Sequence, residues 1–240
     1  MGERQVRIEP RFCGPPGCGN GGYVAGLLAE GIAGACEATL RAPAPLDRDL
    51  ELRPGSDGLR ELWDGETLLA SARPIAPLDL EVPAPPDLAQ VEKRAGSCRA
   101  FATHPFPHCF VCGPAREPGD GLRVFPGWHA EHGLAAAPWQ PDPALGDASG
   151  QVAPRFVWAA LDSPSAFPLL ETVDAVRLEP LVLGRLALER RRDIATGARH
   201  VVTAWSLGFE GRRGLAGCAL HDEAGRLCAL ARATWVSLAR

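Results

Sequence analysis

No stretch of the chain is both apolar and long enough to cross a bilayer: the longest apolar run, Tyr23 to Cys36, is interrupted by Glu30. The opening segment MGERQVRIEP lacks the apolar core that a secretory signal requires, which predicts a cytoplasmic protein. Basic residues never cluster beyond the run Arg190, Arg191, Arg192, which reads as a solvated strand edge. With a formal net charge of −4, neither a nucleic acid nor a membrane is expected as a partner. Several catalytic signatures are missing as well. There is no G-x-S-x-G nucleophile elbow, and Ser163 and Ser165 flank Pro164 inside a helical stretch, which argues against a serine hydrolase. Without a P-loop or a dinucleotide-binding glycine fingerprint, nucleotide hydrolysis and hydride transfer are disfavoured.

Apolar residues are plentiful: 46% of 240 residues are hydrophobic, ample for one large domain or two small ones. Eight cysteines in a chain without an export signal are expected to be reduced and to serve as small core residues or ligands.

The organising stretch is Gly14 to Gly31, GPPGCGNGGYVAGLLAEG. Gly14, Pro15, Pro16 and Gly17 cannot continue a regular element, and Asn20 is a good helix N-cap. From Tyr23 the residues are small and apolar almost all round, as a helix enclosed on most sides requires. Glu30 is the one acidic exception, either snorkelling outward or facing a functional cavity. Asn20, Gly21 and Gly22 present unshielded backbone N–H groups at the positive end of the helix dipole. They form either a plain capping turn or a site for an anion or a polarised carbonyl.

Around this helix the alternation predicts strands over Gln5–Phe12, Cys36–Ala42, Asp49–Leu52, Gly58–Trp63 and Thr67–Pro74. Pro77 to Gly96 is rich in Pro, Asp and Ala and reads as a linker. Beyond it, Leu122–Trp128 and Gly133–Trp139 predict a hairpin. Arg155–Leu170 predicts a second apolar helix, with Asp162 as its single carboxylate and a kink or early end at Pro164. Long strands follow over Leu181–Arg190, His200–Glu210, Arg213–Leu220 and Leu227–Leu238. The same plan therefore occurs twice. LWDGETLLASARP (Leu62–Pro74) echoes LHDEAGRLCALARATW (Leu220–Trp235), and Leu28, Ala29, Glu30 stands where Ala160, Leu161, Asp162 stands. This divides the chain into a first half over 1–82, a Pro-rich linker over 83–97 and a second half over 98–240.

Gly21, Gly22 with Glu30, the LHDEAGRLCALARATW hairpin, and CFVCGPAREPGDGLRV resemble the thioesterase branch of the hotdog superfamily. The resemblance implies an α+β fold of two tandem hotdogs, each a curved antiparallel sheet wrapped around a central helix. The implied substrate is a small acyl thioester such as an acyl-CoA. No cofactor is implied, and a homodimer of double hotdogs is left open. Two features depart from the family pattern. Asn20 stands where many members carry His before the glycine pair, and the second helix opens with Pro154, Arg155, Phe156 and no glycines.

Thioester hydrolysis needs donors on the developing oxyanion and a carboxylate that attacks or activates water. Gly22 and Glu30 are separated by about 12 Å along one helix, so one helix cannot supply both to a single carbonyl. The resemblance implies antiparallel helices that share each site. Gly21 and Gly22 then act as oxyanion donors, Asn20 as cap or orienting group, and Asp162 as base or nucleophile. Glu30 faces the start of the second helix as a relic, a pocket-lining acid or a second catalytic acid. Alternatively, Asp162 merely ends a helical segment.

His104, His108, Cys109 and Cys112 form H-x3-H-C-x2-C, which by residue type could hold zinc. Pro105 and Pro107 constrain the histidine pair and no second C-x2-C follows, so no metal is expected and a metal-free turn is preferred. His129, His132, His200 and His221 are expected at the surface or as satisfied polar groups. The readings that remain are an acyl-CoA thioesterase, a non-catalytic acyl-thioester binding or sensing module, and, ranked last, an acyl-CoA hydratase, since no His lies near Asp162 or Glu30 in the sequence.

Overall fold

The computed structural model describes residues 3–172 and 180–237. Eleven strands form one continuous antiparallel sheet. In chain order they are β1 (Arg4–Arg7), β2 (Cys36–Leu40), β3 (Asp49–Pro54), β4 (Arg60–Asp64), β5 (Thr67–Pro74), β6 (Gly127–His129), β7 (Leu134–Trp139), β8 (Leu181–Arg190), β9 (His200–Glu210), β10 (Arg213–Asp222) and β11 (Leu227–Ser237). Their spatial order is β1-β3-β4-β5-β2-β8-β11-β10-β9-β7-β6. Leaving aside β6, the second half repeats the order of the first with every strand number raised by six. The halves meet where β2 pairs with β8, Cys36 opposite Leu188 and Thr39 opposite Arg185.

The Gly/Pro loop leads into α1 (Gly21–Ala29), capped by Asn20, whose Oδ1 accepts from the Tyr23 N–H at 2.9 Å. Gly22 through Ala29 are all buried, which is why the sequence here tolerates almost no polar side chain. The second helical stretch is broken where Pro164 removes a backbone donor. α3 (Pro154–Asp162) gives way to a 3-10 turn over Ser163–Ala166 and then to α4 (Phe167–Thr172). Helices α1 and α3 cross antiparallel in close contact over the same face of the sheet.

The stretch read as a linker is built differently. It carries α2 (Leu88–Arg94), with Val91 fully buried, and lies over the opposite face of the sheet. Leu78 and Val91 pack there with Leu134, Val201, Trp205 and Leu230, and the Leu78 N–H donates to Glu189 at 2.8 Å. The prolines stiffen this path while Leu and Val at intervals bury it.

Other departures are local. The strand expected over Gln5–Phe12 stops at Arg7 and turns into a 3-10 helix at Pro10–Phe12. Of Leu122–Trp128, only the end joins β6, because the N–H groups of Leu122 and Val124 donate to Phe110 and Val111 in the preceding loop. Leu238, the expected end of the last strand, lies outside the described residues. His129, His200 and His221 are buried, with only His132 of that group exposed. Burial lowers the pKa of all three buried rings, and neither ring nitrogen of His129 has a hydrogen-bond partner among the described residues, though Nδ1 lies 3.9 Å from Glu131. No helix among the described residues is long and apolar enough to cross a membrane.

Candidate active site

The first turn of α1 faces the end of α3, and two glycines make the approach possible. A Cβ on Gly22 would stand 2.4 Å from Asp162 Cβ and 2.6 Å from the Trp158 carbonyl, and one on Gly26 would stand 2.4 Å from Arg155 Cα. Gly22 and Gly26 are one helical turn apart and share a face. This spacing was available in the sequence and is the signal that identifies the crossing.

The close crossing brings Asp162 to the start of α1. Its Oδ2 accepts from the Gly22 N–H at 2.8 Å and from Asn20 Nδ2 at 2.9 Å, while Oδ1 has no partner among the described residues. Asn20, expected as a cap or an orienting group, both caps α1 through Oδ1 and donates to the carboxylate through Nδ2. The Asp162 backbone is fixed in turn: its carbonyl accepts from Ser165 Oγ at 2.6 Å, and Ser165 Oγ accepts from Trp235 Nε1 at 2.8 Å. Burial pushes the carboxyl up to about 7, against the lowering effect of the Gly22 and Asn20 donors. Gly22 N–H is thus engaged by the carboxylate. Gly21, whose N–H the helix itself cannot satisfy, lines the open space instead.

That space is a cavity of about 710 Å³ between the Gly/Pro loop, the loop over 103–112, the end of α3 and the ends of β8 and β11. Asn20, Arg41, Thr103, His104, Asp162 and Ser163 are among its polar lining residues, and much of the remaining wall is apolar, Leu183 and Phe167 included. The loop over 103–112 is sewn to the Gly/Pro loop by Phe110 N–H to the Cys13 carbonyl (2.8 Å) and by buried Arg116, which donates to the Arg11 and His108 carbonyls.

Glu30 lies at the other end of α1, outside this cavity. It pairs with Arg155 at 2.6 Å and with Arg4 at 2.9 Å, so it does face the start of α3, but meets a guanidinium there. A second cavity of about 510 Å³ near that end is lined by Pro154, Val157 and Trp158 of α3 and by Arg190, Arg191 and Arg192.

The Cys/His set is divided. His104, Cys109 and Cys112 line the large cavity, whereas His108 is exposed. Among the described residues no group of three or more His, Cys, Asp or Glu side chains is arranged to hold a metal ion. The motif's link to Asp162, through Asn20 and Ser163, has no sequence signal, because the contacts span 54 residues or more.

No family model and no curated protein sequence matches the chain. Solved structures do. A Mycobacterium avium subspecies paratuberculosis tesB protein superposes with a TM-score of 0.62 at 11% identity, covering 99% of this chain and 93% of that one. A Thermobifida fusca protein, provisionally named a thioesterase II, gives 0.64 at 15% identity over 100% and 93%. An Alicyclobacillus acidocaldarius protein of unknown function, described as having a hot dog fold, gives 0.59 at 13% identity over 99% and 94%. At these identities the likeness is one of architecture: the chain has the hotdog fold.

Proposed function

We propose that the chain is a tandem of two hotdog units, within 1–82 and 98–240, that hydrolyses a small acyl thioester at a single site between α1 and α3. The repeated strand order and the β2–β8 junction support the tandem reading. The observation that carries the chemistry is Asp162: a buried carboxylate facing a cavity, with one oxygen held by two donors and the other free. A carboxylate with a pKa near 7 is matched to general base work at neutral pH. In this reading Oδ1 takes the proton of a water as it adds to the thioester carbonyl. Gly22 N–H and Asn20 hold the carboxylate in place, and the Gly21 N–H, at the positive end of the α1 dipole, receives the carbonyl oxygen. The apolar walls take the acyl group.

Free-thiol release from a panel of acyl-CoAs, measured beside binding by calorimetry, tests this. Release that rises with pH through about 7 is expected, following ionisation of Asp162. Tight binding without release supports the non-catalytic binding module instead.

A further inference from the structure

Cys109 and Cys112 bracket the C-F-V-C turn on the wall of the cavity that holds Asp162. The hydrogen bonds around them run in one direction. The Phe106 N–H donates to His104 Nδ1 at 3.1 Å, and burial lowers the pKa of that ring, so the neutral ring carries its proton on Nε2. Nε2–H then donates to Cys112 Sγ at 3.4 Å. The Cys112 S–H is left to donate to Cys109, whose sulfur is also met by the N–H groups of Val111 and Cys112, by Ser163 Oγ at 3.7 Å and by Asn20 Nδ2 at 4.0 Å. This shell, led by Cys112, draws the Cys109 thiol below its ordinary range and drives that of Cys112 up. By contrast, burial, helped by neighbouring carboxylates, pushes up the core thiols of Cys36, Cys98 and Cys218. A donor-lined sulfur on a cavity wall is the environment of a nucleophilic cysteine, not of a packing residue.

We propose that Cys109 is a covalent acyl acceptor, taking the acyl group from the incoming thioester before water releases it. This rests on the hydrolase reading above and adds a step to it. Two observations favour it. Asp162 Oδ2 is tied down by two donors, which weakens the carboxylate as a direct nucleophile, whereas a thiolate attacks carbonyls readily. The Cys109 charge is also among the causes, after burial, that keep Asp162 protonated.

The steps balance on that proton. The bond from Cys109 Sγ to the acyl carbon forms, the bond from that carbon to the carrier sulfur breaks, and the departing thiolate takes the proton from Asp162. Acylation removes the Cys109 charge and leaves Asp162 ionised, as the base for the second step. It takes a proton from water as the hydroxyl adds to the acyl carbon. The Cys109 C–S bond then breaks, restoring the thiolate and the protonated carboxyl. The net change is thioester plus water to acid plus thiol.

To test this, the full chain, Asp162→Asn and Cys109→Ser are mixed with acetyl-, octanoyl- and benzoyl-CoA and quenched in acid. They are then weighed intact by mass spectrometry while thiol release is followed. Asp162→Asn is expected to release one thiol per chain and keep one acyl mass on Cys109. Cys109→Ser is expected to lose turnover at least about a hundredfold. Wild-type Cys109 should also be alkylated by iodoacetamide below the ordinary thiol pKa of about 8.5. That readout requires no variant, and an unreactive Cys109 there contradicts the proposal. Wild-type turnover in Cys109→Ser, or thiol release with no acyl-protein mass in Asp162→Asn, overturns the acceptor role and leaves the hydrolase reading standing. Acyl mass on Cys109 without turnover in the wild type supports the acceptor and overturns the hydrolase. Neither mass nor release removes both.

Discussion

At one end of the α1–α3 pair, a carboxylate from α3 meets the first turn of α1. At the other, a carboxylate from the end of α1 meets the first turn of α3. The first end has Gly22, so Asp162 reaches a bare N–H at 2.8 Å and stays beside a cavity of about 710 Å³. The second end has Pro154, which offers no N–H, and Arg155, whose guanidinium takes Glu30 at 2.6 Å. The same crossing thus yields a poised carboxylate at one end and a neutralised ion pair at the other. The difference lies at the two helix starts, Gly21 and Gly22 against Pro154 and Arg155.

Breaking the first end at its glycine should have the largest effect. Gly22→Ala forces a Cβ into Asp162 and the Trp158 carbonyl, so the helices must separate at a cost of about 3 kcal/mol or more, read as a drop in urea midpoint. Next comes the stability held back by the buried acid. The carboxyl of Asp162 is raised from its usual value to about 7 in the folded chain, so the favourable contribution of its protonation is complete below about 4 and lost as pH rises to 7. Asp162→Asn should therefore be more stable than wild type at pH 8, by about 2–4 kcal/mol, with the gap closing toward pH 4. Equal melting curves at both pH values would contradict this.

Smaller effects sharpen the contrast. Asn20→Ala removes the α1 cap and one of the two Asp162 donors. It should cost about 1 kcal/mol and move the pH midpoint of thiol release upward, because a donor that favours the carboxylate is gone. Glu30→Gln touches a half-exposed pair with Arg155 and Arg4 and should cost less than about 1 kcal/mol, less again in high salt.

Much of this was legible in the sequence. Thr67–Pro74, Leu181–Arg190 and His200–Glu210 are strands over the expected residues, since alternation and turn residues are local signals. The antiparallel meeting of Gly22 and Asp162 followed from the resemblance together with the helical rise. Three things were not legible. The segment around Val91 is buried by a sheet face contributed mainly by residues far along the chain, and its prolines masked the helix. Occupation of the Gly22 N–H by Asp162 depends on a helix separation that no local pattern encodes. The chain from His104 through Cys112 and Cys109 to Ser163 likewise needs the loop folded over the end of α3 before it exists.

The central claim is that only the Gly22 end is competent, and it is tested most directly by thiol release from Asp162→Asn and Glu30→Gln measured side by side above pH 7 on the same acyl-CoA. The account predicts that Asp162→Asn loses turnover by about 10²–10⁴ with binding nearly intact, while Glu30→Gln stays within about threefold of wild type. Abolished turnover in Glu30→Gln with Asp162→Asn spared would contradict it.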